Sequence, residues 1–198
     1  MTLEDTVRAL LDRHSAALLA LAAQSIRHRL TTGETLPVDP GAYAPELSAP
    51  GASFVTLRRN RDLRGCIGSA RAWRPLVADV TGNAAASAFE DPRFPPLEES
   101  ELSGLWLSIS VLTPPAPIPA ASDAEFLAQI RPGLDGLILS EGPRSAVLLP
   151  QVWEMLPDKV EFVAALKEKA GLPRDHWSPE TKAMRFGSVT IENANLFG

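Results

Sequence analysis

The sequence has little of what secreted, metal-binding or membrane-spanning proteins need. Its 198 residues include one cysteine and three histidines, so no disulfide can form within the chain, and the paired spacing of a structural zinc site is missing. No apolar run reaches the ~18 to 20 residues that cross a bilayer. The start, MTLEDTVRALLDRH, lacks the basic segment and apolar stretch of a secretory signal. We therefore expect a cytoplasmic protein without a metal, a cofactor or a membrane anchor.

Positive charge is also scarce, and it is unevenly distributed. The chain carries a net charge of −5 and a pI of about 5.3, which argues against general binding to nucleic acid or to an anionic membrane. Residues 58–74 nevertheless contain six arginines against a single acid, Asp62. One interpretation is a solvated, arginine-rich hairpin end. The other is a local anion site, because guanidinium groups bind carboxylate and phosphate in a bidentate manner.

Hydrophobic patterning predicts an α+β fold with antiparallel or mixed sheets. Thr2 and Asp5 form a capping box at the start of a helix over 3–31, either continuous or broken near His14. The alternation in LWLSISVL predicts a half-buried strand. Further predicted elements are helices in RPLVADVTGNAAASAF, at 122–130 and in DKVEFVAALKEKA, strands at GLILS and SAVLLP, and one last strand near MRFGSVTIE. Helices and strands alternate without a regular βαβ repeat, as in α+β proteins.

The proline-rich stretch TPPAPIPAA predicts a boundary inside the chain. Stiff, extended segments of this composition often join subdomains. We therefore expect a single domain over 1–198 that consists of two subdomains, with the boundary near 113–122.

The segment SFVTLRRNRDLRGCIGS predicts a β-hairpin around the only cysteine. A three-residue loop at 60–62 gives the register that keeps the aliphatic side chains on one face. The resulting pairs are Leu57 with Gly65 and Val55 with Ile67. Cys66 then lies opposite Thr56, on the face that carries Arg58 and Arg64.

Two interpretations of Cys66 remain open at this point. Free cysteine is among the most buried residue types, so Cys66 can be a small residue packed in a strand. In the other interpretation it belongs to a site, because neighbouring guanidinium groups favour the thiolate, and because Gly65 and Gly68 let a ligand or a second chain approach the backbone. No histidine is close in sequence to act as a base. Cys66 is therefore a candidate, and the one candidate, for a catalytic nucleophile.

Several motifs occur together in an order that resembles the AMMECR family, whose bacterial and archaeal members are called AmmeMemoRadiSam system protein A. They are FVTLRRNRDLRGCIGS, NAAASAFEDPRFPPL, LSISVLTPP, DGLIL, LLPQVW and LKEKAGL. The resemblance runs from about Leu11 to Phe186. It implies an α+β protein with a larger and a smaller subdomain packed together, and LRGCIG near the groove between them. It also implies a pathway shared with a Memo-type protein and a radical-SAM protein, but it assigns no reaction.

The predicted binding residues lie in or beside these motifs. They are Arg58, Arg64, Gly65, Cys66, Ile67, Gly68, Asn83, Asp91, Arg93 and Gln151. We expect them to bind an anionic small molecule or peptide. For Asp91 and Arg93 the competing interpretation is that they bond locally, and for Arg64 that it pairs with a nearby acid such as Asp62 or Asp91.

An alternative function is a non-catalytic adaptor that docks a partner protein through the same arginine-rich surface. Single-stranded RNA is a weaker alternative, with Trp73 as a stacking surface. Members of the family commonly carry a second cysteine just before the KAGL stretch, where this chain has Lys167. A site built from two cysteines of one subunit is therefore excluded.

Overall fold

The computed structural model describes residues 2–193 and 196–197, and its fold is α+β, as predicted. The chain divides into two compact units: unit 1 is Met1–Leu112 with Val189–Gly198, and unit 2 is Thr113–Ser188. Each unit contains one four-stranded sheet. Within the described residues, no helix combines the length and the hydropathy that a membrane crossing requires.

The helices and strands are numbered in chain order. The α-helices are α1 (Leu3–Thr32), α2 (Pro45–Ser48), α3 (Leu76–Phe89), α4 (Asp123–Gln129) and α5 (Lys159–Lys169). The strands are β1 (Pro50–Gly51), β2 (Ser53–Arg59), β3 (Asp62–Gly68), β4 (Arg74–Pro75), β5 (Leu105–Leu112), β6 (Ala116–Pro117), β7 (Gly136–Glu141), β8 (Arg144–Leu148), β9 (Lys182–Phe186) and β10 (Ser188–Asn193). Short 3-10 helices span Pro40–Ala42, Glu99–Glu101 and Pro150–Glu154.

Helix α1 is one continuous helix, so the predicted alternative with a break near His14 is wrong. Its start is the predicted capping box: the Asp5 N–H donates to Thr2 Oγ1 at 3.1 Å, and the Thr2 N–H donates to Asp5 Oδ2 at 2.7 Å. The helix ends at Gly33, whose φ of 78° is left-handed and therefore suits glycine. The helix thus has a sequence signal at both ends.

The sheet of unit 1 has the strand order β10-β5-β2-β3, which makes β3 an edge strand. Strand β2 pairs antiparallel with both β3 and β5. Alternate residues of β2 and β5 point into the core, where Val55, Leu57, Leu107 and Ile109 are completely buried. Helices α1 and α3 supply the other side of this core.

The β2–β3 hairpin has the predicted register, with Leu57 opposite Gly65 and Cys66 opposite Thr56. Its turn differs from the prediction, because the loop has two residues, Asn60 and Arg61, instead of three. A β-bulge takes up the difference, since the register shifts at Arg58 and leaves Arg64 as the extra residue of β3. The burial of the aliphatic residues therefore decided the pairing, and the turn adapted to it.

Unit 2 has a sheet with the strand order β6-β9-β7-β8. Its core includes Phe126, Phe162 and Trp153, and the rings of Trp153 and Phe162 stack with centroids 3.7 Å apart. Lys167 is only 1% exposed, and its Nζ lies 2.8 Å from Asp123 Oδ1.

The predicted last strand near MRFGSVTIE is two strands, β9 and β10, which belong to different sheets. Ala183 and Phe186 are buried in unit 2, whereas Val189 is buried in the core of unit 1. Gly187 separates the two strands, and its N–H donates to Thr113 Oγ1 at 2.8 Å. A single run of strand-forming residues therefore serves two cores, which periodicity alone does not reveal.

Candidate functional site

The backbone of Cys66 is held by the two charged residues of the DPR segment. The Cys66 N–H donates to Asp91 Oδ2 at 2.8 Å, and Arg93 Nη2 donates to the Cys66 carbonyl at 3.4 Å. Because β3 is an edge strand, an exposed N–H and carbonyl here would invite pairing with another chain. The two side chains close the sheet edge at this residue.

Asp91 and Arg93 also bind each other, which confirms the predicted local interaction. Arg93 Nε donates to Asp91 Oδ1 at 2.9 Å, and Arg93 Nη2 donates to Asp91 Oδ2 at 2.7 Å. These bonds are the main reason that the pKa of Asp91 is held well below its usual range, and the Cys66 N–H adds to the effect. The pKa of Arg93 is raised, first by its bonds to Asp91 and to a smaller extent by the charges of Asp91 and Cys66. Asp91 is therefore ionised wherever the protein is folded near neutral pH.

The sulfur of Cys66 is half-buried and has a hydroxyl beside it. Thr56 Oγ1, directly across the β2–β3 ladder, donates to Cys66 Sγ at 3.3 Å. The predicted register placed Thr56 correctly, but Thr56 was not among the predicted site residues.

Arg64 is buried and is neutralised by an acid that the sequence interpretation did not include. Its Nε and Nη2 donate to Glu101 Oε1 and Oε2 at 2.7 and 2.9 Å, and Nη2 also donates to the Pro95 carbonyl at 3.0 Å. This bidentate pair lowers the pKa of Glu101 to about 2. Arg64 therefore braces β3 against the segment before β5, and it adds no net charge at Cys66.

Arg58 is exposed, and its Nη1 donates to the carbonyl of Arg61 at 3.3 Å. Its neighbour across the sheet on the β5 side is Trp106, which is 40% exposed. Arg58 therefore belongs to the end of the hairpin and contacts the turn, rather than the backbone clamp at Cys66.

The two glycines of the motif are in contact with the protein itself. A Cβ at Gly65 would lie 2.0 Å from the backbone carbonyl oxygen of Ser87, and a Cβ at Gly68 would lie 2.2 Å from the ring of Phe54. Both positions therefore need glycine for packing within the chain. Close approach of a ligand to these two residues stays a prediction.

Ser87, near the end of α3, links the helix to both strands of the hairpin. Its Oγ donates to the Val55 carbonyl at 2.7 Å and accepts the Ile67 N–H at 2.9 Å. This contact explains the position of Ile67, which was predicted to be a binding residue. A lone serine in the run NAAASAF is the only sequence signal for it.

A second buried aspartate holds the other end of the hairpin. Asp79 is completely buried and accepts bonds from the N–H and Oγ of Ser53 at 2.8 and 2.7 Å. It also accepts bonds from Ser69 Oγ at 2.7 Å, Arg74 Nε at 2.9 Å and Asn83 Nδ2 at 2.9 Å. Asn83, one of the predicted binding residues, also donates to the Ser53 carbonyl at 2.9 Å. The signal for this network was an aspartate between the apolar residues of α3.

Gln151 lies in unit 2, on the 3-10 helix after β8, and it is exposed. Its Nε2 is 3.5 Å from Ser188 Oγ, at the limit of a hydrogen bond. Its grouping with Cys66 stays a prediction. Within residues 2–193 and 196–197, no cluster of three His, Cys, Asp or Glu side chains is arranged to hold a metal ion.

Comparison with known proteins places this geometry among relatives. The AMMECR1 family model matches residues 19–191. A protein of Thermococcus onnurineus is 40% identical over 190 residues, covering 91% of each chain. A protein of Methanothermobacter thermautotrophicus is 44% identical over 135 residues, which cover 67% of this chain and 70% of the relative. The crystal structure of protein PH0010 from Pyrococcus horikoshii matches with a TM-score of 0.81 and 39% identity, over 89% of each chain.

Proposed function

This chain belongs to the AMMECR1 family, and we propose that it binds an anionic small molecule or peptide at the Cys66 site. The Cys66 site consists of Thr56, Cys66, Asp91 and Arg93. In this proposal the protein is a component of a pathway with a Memo-type and a radical-SAM protein, a part of the proposal that has only the family resemblance behind it. The pathway partners and the ligand can be tested separately, and the residues of the Cys66 site support only the ligand.

The observation that carries the proposal is the exposure of an oriented arginine. The side chain of Arg93 is 53% exposed, whereas that of Asp91 beneath it is 2% exposed. A guanidinium group has five N–H donors. Asp91 and the Cys66 carbonyl use donors of Nε and Nη2, and no hydrogen bond to a described residue uses Nη1. The two N–H donors of Nη1 are thus left for a carboxylate or a phosphate.

Preorganisation makes this arginine different from an ordinary surface arginine. A free arginine side chain loses rotamer entropy when it binds a ligand, and that loss reduces affinity. Arg93 is already fixed by Asp91, whose carboxylate accepts four hydrogen bonds and is shielded from solvent. The charge that a ligand meets is therefore that of the guanidinium, although the ion pair as a whole is neutral.

Cys66 contributes a polarisable contact, and the Thr56 hydroxyl lies 3.3 Å from its sulfur. A nucleophilic role would need turnover that depends on the sulfur. Cys66→Ser separates these roles: it should abolish turnover if the sulfur reacts, and it should change only affinity if the sulfur is a contact. The serine variant keeps the Cys66 N–H bond to Asp91, so the fold should be unaffected.

Binding is tested by calorimetry with phosphate, pyrophosphate, citrate and glutarate as probes. We expect Arg93→Gln to weaken binding by about tenfold or more, because a charge-assisted contact is lost. Arg93→Lys should give intermediate affinity. The matched control is Arg71→Gln, which changes an exposed arginine of the same unit. Equal binding by Arg93→Gln and the wild type would contradict the proposal.

The physiological ligand is tested by metabolite profiles of a strain that lacks the gene and is rescued with variants. Arg93→Gln and Cys66→Ser should each fail to restore the profile, while Arg71→Gln should restore it. Full rescue by both site variants would mean that the site lies elsewhere.

Docking of a protein partner through the same surface is the second candidate. It predicts that Cys66→Ser is mild while loss of an exposed charge breaks the complex. Arg64→Glu is unsuited to this test, because Arg64 is buried and its loss would leave Glu101 without a partner. Arg93→Gln is the informative variant, because it removes the exposed charge without adding a second carboxylate beside the buried Asp91.

A further inference from the structure

We propose that the end of the β2–β3 hairpin is a docking surface for an acidic segment of a partner protein. This hairpin tip consists of Arg58, Arg59, Arg61 and Trp106. It is distinct from the Cys66 site, and the proposal does not depend on anion binding at Arg93.

The six arginines of residues 58–74 differ in whether an acid neutralises them. Arg64 and Arg74 are neutralised by Glu101 and Asp79. The other four are exposed, and none of them forms an ion pair with a residue that the structure describes. They are Arg58, Arg59, Arg61 and Arg71. Three of these four lie at the hairpin tip.

Few acidic groups act on the arginines of the hairpin tip. Asp62 is the first residue of β3, directly after the turn, and the charge of Arg59 also acts on Glu101, which is already paired with Arg64. In a chain with a net charge of −5, unneutralised positive charge is therefore concentrated on one hairpin end. A surface of this kind orients an approaching acidic partner.

The turn of the β2–β3 hairpin has a backbone conformation that is unusual for its residues. Asn60 and Arg61 have φ values of 53° and 74°, so both residues are left-handed. Two-residue turns of this type prefer glycine at the second position, because a Cβ is unfavourable there. Asn tolerates the conformation, whereas arginine has no such compensation. In the two-residue turn of the unit 2 hairpin, the residue with a positive φ is a glycine, Gly142 at 55°, which occupies the first turn position.

Arg61 is therefore an exposed arginine at a position where glycine would be more stable. Strain of this kind persists where the side chain has a use that glycine cannot serve. The packing of the hairpin does not need the Arg61 side chain, since that side chain is exposed. A binding role at the tip accounts for it.

A partly exposed aromatic residue lies beside the arginines of the tip. Trp106 pairs across the sheet with Arg58 and is 40% exposed. Tryptophan and arginine are the residue types most enriched among those that dominate binding energy in protein interfaces. Trp106 supplies apolar contact area next to the charges, and carboxylates can bind the neighbouring guanidinium groups in a bidentate manner.

An acidic protein segment fits this surface better than a nucleic acid does. Affinity for nucleic acid comes mainly from many phosphate contacts with release of counterions. Three arginines are few for that purpose, and the negative charge of the rest of the chain opposes a long polyanion. A short acidic segment needs only two or three carboxylates next to an apolar residue.

The test uses a short fluorescently labelled peptide of alternating Glu and Asp residues with one central Phe, and measures anisotropy at low and moderate salt. Comparison probes are the same peptide with Ser in place of the acids, and single-stranded oligothymidylate of equal charge. We expect the full-length protein to bind the acidic peptide, with affinity that falls as salt rises. The triple variant Arg58→Glu, Arg59→Glu and Arg61→Glu should weaken binding by more than about tenfold.

Arg61→Gly is the most specific variant. It should weaken peptide binding by about two- to fivefold, because one exposed ion pair is lost, and it should raise the melting temperature, because glycine relieves the left-handed strain. The matched control is Arg144→Glu, which changes an exposed arginine next to the turn of the other hairpin and should leave binding unchanged.

Several results would overturn the proposal. The proposal is wrong if the acidic peptide binds no better than its Ser analogue. It is also wrong if Arg144→Glu weakens binding as much as the triple variant, or if the oligothymidylate binds more tightly than the acidic peptide. Sedimentation that shows a dimer broken by the triple variant would assign the tip to a second copy of this chain instead. A gain in stability for Arg61→Gly with unchanged peptide affinity would remove Arg61 from the surface.

Discussion

Two aspartates of unit 1 are buried beside the hairpin, and their arginine partners differ in exposure. Asp79 is completely buried, and the side chain of its partner Arg74 is 25% exposed. Asp91 is almost as buried, but the side chain of its partner Arg93 is 53% exposed. The donors around Asp79 come from β2, from Ser69 directly after β3, from β4 and from α3, and they converge on one carboxylate. An aspartate–arginine pair therefore holds the fold in the first case, and in the second it also presents an oriented charge to solvent.

Asp79→Ala should give the largest loss of stability, about 3–5 kcal/mol, because it removes the buried carboxylate that Arg74 and four other donors bind and leaves a cavity in its place. Urea unfolding followed by circular dichroism measures it as a lower midpoint. Asp79→Asn is the control, since it keeps one acceptor oxygen and should lose less. If Asp79→Ala loses no more stability than Asp91→Ala, then Asp79 is no more important for the fold than Asp91.

Gly65→Ala should be the next most harmful change. The new Cβ would lie 2.0 Å from a backbone oxygen of Ser87, so strand and helix would have to separate, with a loss of about 1–3 kcal/mol or more. Gly68→Ala is the matched variant: its obstacle is the Phe54 side chain, which can rotate, so the loss should be smaller. If both alanine variants unfold like the wild type but lose anion binding, the glycines serve a ligand and not the packing.

Asp91→Asn should have a smaller effect on stability and a larger effect on the site. We expect a loss of about 1–2 kcal/mol, because the amide keeps one acceptor while the charge-assisted bonds to Arg93 weaken. Arg93 should lose its fixed orientation, so affinity for the anion probes should fall. The calorimetric panel and urea unfolding on the same preparation measure both. Unchanged affinity would show that Arg93 does not need Asp91 as a support.

Acidification should have the smallest effect, since the free energy of unfolding should change little near neutral pH. The pKa of Glu101 is lowered to about 2 by its bonds with Arg64, and the pKa of Asp91 is also lowered, by Arg93. In the unfolded chain both carboxylates have ordinary values near ~4. A lowered folded pKa contributes stability that is complete above the ordinary value and is lost as pH falls through the folded value.

The free energy of unfolding should therefore be nearly constant from neutral pH to about 5, and it should decrease from about 4.5 towards 2. Urea unfolding at a series of pH values measures it. Glu101→Gln should be less stable at neutral pH but should show a shallower decrease in acid. A decrease that is equally steep in this variant would mean that other groups control acid unfolding.

Local sequence signals predicted much of unit 1. Thr2 and Asp5 form the expected cap, and the aliphatic alternation in β2 and β5 gave the correct hairpin register. The extra residue at Arg64 was missed, because a bulge and a turn can exchange one residue without changing which side chains are buried. The split of the last predicted strand was missed for a related reason: both pieces alternate buried and exposed residues, and only their cores differ.

The partners of the site residues were largely beyond prediction. The Arg64–Glu101 contact joins residues 37 positions apart, and the Cys66–Asp91 contact joins residues 25 positions apart. Ser87 and Thr56 bind the hairpin through single hydroxyl groups, which leave no periodic signal. Asp91 with Arg93 was predicted because the two residues are separated by only one position.

The sequence was enough to predict most of the longer helices and strands, the capping of α1 and the pairing of β2 with β3, because these depend on short-range patterns and on burial of alternate side chains. The order of its motifs also indicated the family. The tertiary structure decided which charges are neutralised. Several acids and six arginines compete in this part of the chain, and only the folded geometry brings Glu101 to Arg64 and Asp79 to Arg74. It leaves Arg93 oriented but open, and Arg61 exposed in a strained turn. Charge that composition assigned to one region is thereby divided between holding the fold and facing solvent.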